Sequence, residues 1–160
     1  MMKIASIMAC GILLVALAPV GTAKAEEYSN VQVRKLITSS TASNGQPLAY
    51  LATGKPEVTA LMVTIPPGGE TGWHQHPVPV YAYVLDGELT VEMKGGIRYV
   101  FKKGDVVLEV MNTLHNGFNT GTTNVSLVVF YTGAVGVPNV VKDAPPPAPP
   151  PSPLMPSVTH

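Results

Sequence analysis

The sequence predicts a single all-β domain, a barrel or sandwich of short strands. Runs rich in β-branched residues recur along the chain, broken by turn residues every eight to twelve positions. One run, residues 88–93, alternates cleanly. Glu88, Thr90 and Glu92 fall on one face, and Leu89, Val91 and Met93 on the other. After residue 25 no stretch repeats its apolar residues at the 3.6 spacing of a helix.

Taken in order, the chain opens on a leader-like segment, residues 1–25. Lys3 gives a positive start, residues 4–20 form an apolar core, and Ala23-Lys24-Ala25 is a small-x-small cleavage site. Pro19 and Gly21 cut the apolar run short of a membrane span. The expectation is an exported protein, periplasmic or secreted, free of the membrane once the signal peptide is cut. The single cysteine, Cys10, lies inside this leader. A chain starting at Glu26 then has no thiol, so it has neither a disulfide nor a cysteine nucleophile.

Residues 31–40 (VQVRKLITSS) read as a β-branched strand, and residues 47–52 as a short apolar one. Residues 58–65 (VTALMVTI) carry apolar residues on both parities, which predicts burial on both faces. Pro66-Pro67-Gly68-Gly69 ends that run. Lys94-Gly95-Gly96 turns into a strand at 97–101, and Lys102-Lys103-Gly104-Asp105 into another at 106–110. Residues 125–131 (VSLVVFY) form a late core strand. The domain is expected over 26–140. Residues 141–160 form a proline-rich tail, with eight prolines among the last eighteen residues. Proline lacks the backbone donor a sheet needs, so the tail is expected to be extended and disordered.

Charge excludes one partner class. Lysines and arginines match acids at 10 each; without the leader they fall to 8 against 10, a net charge of about −2. No basic run is present to hold nucleic acid.

The chemistry concentrates in residues 66–119. His74 and His76 are one residue apart, so in a strand both point to one face while Trp73 and Gln75 point to the other. His115 follows about forty residues on. The stretch resembles the two motifs of the cupins, small β-barrel proteins. In the first motif Gly68 or Gly69, His74, His76 and Gly87 match, but Val80 stands at the glutamate position. In the second, Gly104, His115 and Asn119 match, while Val110 and Asn112 replace the usual proline and glycine. The resemblance implies an all-β single cupin barrel, a jelly roll, with flanking strands over about 31–132. It implies metal ligation by His74, His76 and His115. Imidazoles suit a divalent transition metal (iron, manganese, nickel, copper or zinc) without choosing among them.

The carboxylate is missing from its usual place. Inward His74, His76 and Val80 put Ala82 and Val84 inward and Tyr81 and Tyr83 outward. Val80→Glu would then add an anionic ligand. Glu109 sits in a run that is apolar on both parities. The plainer reading is an outward glutamate on a partly wet strand; the sharper one is a fourth ligand or a catalytic general base. Glu70 is a lesser candidate at the mouth. Trp73 is expected between the sheets or at a subunit contact, with a pocket wall as the alternative, and Asn119 is expected to fix a turn.

Three function classes stay open. One is a metal-dependent oxygenase or oxidoreductase acting on a small organic molecule. The second is a non-enzymatic cupin binding a small, sugar-like ligand. The third is an envelope scaffold using the proline tail. Tyr81 and Tyr83 on an outer face, with the pairing habit of cupins, imply a homodimer.

Overall fold

A computed structural model describes residues 30–143. The leader and most of the proline tail lie outside the described residues. The chain divides into two units after Arg34. Of the first, residues 30–34 are described, and they form no strand. The second unit holds nine strands and, among the described residues, no helix.

The strands are β1 (Pro56–Ile65), β2 (His74–Gln75), β3 (Val80–Asp86), β4 (Glu88–Met93), β5 (Arg98–Lys102), β6 (Val106–Leu108), β7 (His115–Phe118), β8 (Val125–Ala134) and β9 (Val141–Lys142). They pair into two antiparallel sheets. One has the order β1-β8-β3-β6, the other β5-β4-β7-β2-β9. This is the all-β jelly-roll architecture expected. Residues 141 and 142, read from sequence as the start of the tail, belong to the second sheet, where β9 pairs with β2.

The core lies between the sheets. Val80, Ala82 and Val84 of β3 are buried, while Tyr81 and Tyr83 are half-exposed, as alternation requires. Leu127, Val129 and Tyr131 of β8 face them on the same wall, and Leu89, Val91 and Met93 of β4 close the other. Each such aliphatic side chain contributes about 1.5–3 kcal/mol by leaving water. Thr90, on the wet parity of β4, is also buried, because its ladder partner Phe118 lies beside it.

Three expectations need correction. β1 is not buried on both faces: Val58 is 64% and Met62 68% exposed. It is an edge strand with β8 as its one neighbour among the described strands. No strand forms over residues 31–40 or 47–52. Instead, residues 40–48 fold into a turn, with Leu48 N–H donating to the Ser40 carbonyl and Gly45 N–H to that of Ala42, both at 2.9 Å. Gly45 supplies the positive φ of 87° that the turn requires. The Gln46 side chain then docks the turn, donating to the Met111 carbonyl at 3.1 Å and accepting its N–H at 3.0 Å. β-branched residues raise strand propensity, but a strand also needs a partner edge, and among the described residues no sheet takes up 31–40.

Candidate metal centre

Strands β2 and β7 carry the histidines to one point. His74 and His115 are directly opposed in the ladder, and His76 follows two residues on, so all three face the core. All are buried, at 7%, 1% and 2% exposure for His74, His76 and His115. Their ring centroids lie 4.4–5.0 Å apart, and one ring nitrogen from each falls within 4.8 Å of the others.

Backbone carbonyls set the direction of each ring. His74 Nδ1 lies 2.7 Å from the Gly72 carbonyl oxygen, His76 Nδ1 2.8 Å from that of Asn139, and His115 Nδ1 2.8 Å from that of Thr113. A carbonyl oxygen only accepts, so each Nδ1 carries the proton and donates. The three Nε2 lone pairs are then left to face the cavity, the tautomer a metal-binding imidazole needs.

The carboxylate absent from Val80 is supplied by Glu109. Beyond the Tyr81–Leu108 pair, Glu109 N–H donates to the Val80 carbonyl at 3.0 Å. Residues opposed in an antiparallel ladder share a face, so Glu109 points inward with Val80. Its Oε2 lies 3.1 Å from His115 Nε2 and 3.3 Å from His76 Nε2. The outward reading of Glu109 is therefore wrong. The sequence hid it because residues 106–110 are apolar on both parities; only the β3–β6 register shows its direction.

The electrostatics follow from burial and this one anion. Burial lowers the pKa of His74 to about 4, opposed by the Gly72 hydrogen bond and helped by the neighbouring histidines. Burial alone would raise the pKa of Glu109, but its hydrogen bonds to His115 and His76 outweigh this and hold the carboxyl well below its usual range. Burial would lower that of His115, yet the bond and charge of Glu109 push it up. A carboxylate facing two lone-pair nitrogens calls for a proton or a cation between them.

A cavity of about 60 Å³ adjoins these groups, walled by Ile65, Leu89, Val91, Leu127, Val129 and Tyr131 among others. Burial first, and then the charge of Glu109, raise the pKa of the Tyr131 phenol, so it keeps its O–H. Glu70 stays apart from the triad. Its carboxylate accepts from Asn116 Nδ2 at 2.7 Å, on the outer face of β7. Trp73 lines a cavity on that same side, rather than packing between the sheets. Asn119 is buried and ties its loop, donating to the carbonyls of Ile65 and Thr123 and accepting from Gly121 N–H. Asn116 was not singled out from sequence. Its position next to His115, on the opposite parity, was the available signal.

Two antiparallel sheets enclose three converged histidines placed where they could hold a metal ion. Residues 61–131 match the cupin domain, and that match supports membership of the cupin superfamily. A cupin-like protein from Thermotoga maritima shares the fold, at 23% identity and TM-score 0.50 over 54% of this chain and 65% of that one. A predicted oxalate decarboxylase from the same organism is 27% identical, with TM-score 0.43 over 46% of this chain and 64% of that one. The DMSP lyase DddQ from Ruegeria pomeroyi is 23% identical, with TM-score 0.47 over 61% of this chain and 46% of that one. The chain thus spans less than two thirds of each of these proteins. No curated protein matches the sequence.

Proposed function

We propose that His74, His76, His115 and Glu109 hold one divalent transition metal, and that the centre takes a small organic ligand as an oxygenase or related oxidoreductase. The observation that carries this reading is the set of three Nδ1–H···O=C bonds, which leaves three Nε2 lone pairs converging beside one carboxylate. Such an ion, when bound, acts as a Lewis acid with positions open to small ligands.

Cavity size and charge narrow the ligand. A volume of about 60 Å³ is the liquid share of about two waters, at roughly 30 Å³ each. It admits a molecule of a few heavy atoms and excludes a sugar. Three neutral imidazoles and one carboxylate leave a dication one positive charge in excess. Inside apolar walls that charge favours a small anion, such as a short carboxylate. Tyr131 holds a proton on its phenol oxygen at the same cavity, a donor for the ligand's oxygens.

The test is metal analysis of protein purified from its native compartment, followed by titration of the apoprotein with each metal. A stoichiometry near one that is lost in His115→Ala supports the reading. A His115→Ala variant that binds as well as the parent overturns it.

The reading includes export and pairing. The Lys3 start, apolar run and Ala-Lys-Ala site support a mature chain beginning at Glu26, which mass spectrometry of the exported protein would check. The exposed outer face of the first sheet, with Val58, Met62 and Phe130, supports a homodimer.

A further inference from the structure

We infer that the outer face of the second sheet carries a separate binding site for a neutral polyhydroxylated ligand, a short saccharide. β7 places His115 and Asn116 on opposite faces, so the strand that closes the metal centre inside also floors an open cavity outside. That cavity measures about 600 Å³, within the range of small-molecule sites and ten times the inner one. It lies on the far side of the sheet from the histidines.

The lining has the chemistry of sugar recognition. Trp73 offers a flat apolar surface to the C–H face of a pyranose, and its parity on β2's lead-in, opposite to His74, turns it outward. Glu70, Glu92, Arg98 and Asn116 provide planar acceptors and donors that match vicinal hydroxyls. These groups are already organised. Arg98 pairs with Glu92 at 2.7 Å and lies 5.2 Å over the Phe118 ring. Asn116, at 6% exposure, is held by Glu70 at 2.7 Å and by the Thr71 hydroxyl at 3.3 Å. Side chains fixed by one another lose little entropy on binding. Because Arg98 is neutralised by Glu92, an anion would have to break that pair. A neutral ligand adds hydrogen bonds without disturbing it.

Trp73 is the only tryptophan in the chain, so intrinsic fluorescence reports this site directly. The full-length exported protein would be titrated with glucose, galactose, N-acetylglucosamine and cellobiose, with choline as a cationic control. Saturation-transfer NMR on the same mixtures serves as a second readout. At least one saccharide should shift or quench the emission at millimolar concentration. Arg98→Ala and Glu70→Gln should each weaken that binding at least about tenfold. His115→Ala, which removes a proposed metal ligand, should leave it unchanged, so failure of the metal reading and failure of this one are distinguishable. Silence of all four sugars in both readouts overturns the inference. So does a response to choline alone, or a sugar response lost in His115→Ala but kept in Arg98→Ala.

Discussion

Glu109 lies one residue beyond β6, its N–H on the Val80 carbonyl at 3.0 Å and its carboxylate 3.1 Å from His115. The anion that the first motif lacks is thus delivered from the neighbouring strand, at the same level of the barrel. Glu109→Gln keeps the shape and removes the charge. Affinity for manganese or iron should fall at least about tenfold, near 1.4 kcal/mol. Calorimetric titration of the apoprotein would read it, and unchanged affinity would remove Glu109 from the ligand set.

Val80→Glu, the repair that the sequence alone recommends, should now fail. It would put a second buried carboxylate beside Glu109, and like charges at that range disfavour ionisation of both. Metal affinity should drop rather than rise. A gain in the same titration would mean that Glu109 does not serve the metal.

Core packing gives a metal-independent prediction. Leu127 is 5% exposed, near the start of β8. Leu127→Ala should cost about 2–5 kcal/mol through lost burial and the cavity left behind. Urea denaturation of the apoprotein would measure it, and a loss below about 1 kcal/mol would mean that the sheets close over the gap.

The dimer reading predicts a local remedy. Phe130 is 44% exposed and pairs with Ala60 on one side and Tyr81 on the other, midway across the outer face. Phe130→Lys should convert a micromolar dimer to monomer in sedimentation velocity while leaving metal content unchanged. A wild-type monomer under those conditions would count against pairing through this face.

What could be read in advance follows from periodicity. The β3 alternation and the spacing of His74, His76 and His115 are signals local to each strand, so they survived into the structure. Glu109 was ambiguous because direction in an all-apolar strand depends on register with a distant partner. β1 was misjudged for the same reason: apolar residues on both parities signal double burial only in a central strand, and β1 is at an edge. Residues 31–40 have the composition of a strand but no strand partner among the described residues. Strand alternation turns Trp73 away from His74 and His76, as expected, and Glu70 lies on that same outer side rather than at the mouth of the inner cavity.

The carbonyls that orient the three imidazoles belong to Gly72, Asn139 and Thr113, in three separate loops. Ring aim is therefore set by the folded backbone before any ion arrives. Loading becomes a docking event, unlike small zinc domains in which metal drives folding. A receptor assembled beforehand from nitrogen and oxygen donors has little means of rejecting one first-row ion in favour of another. Under the proposed metal reading, the ion bound is then decided by the supply where the chain folds, and one polypeptide could carry different metals from different surroundings.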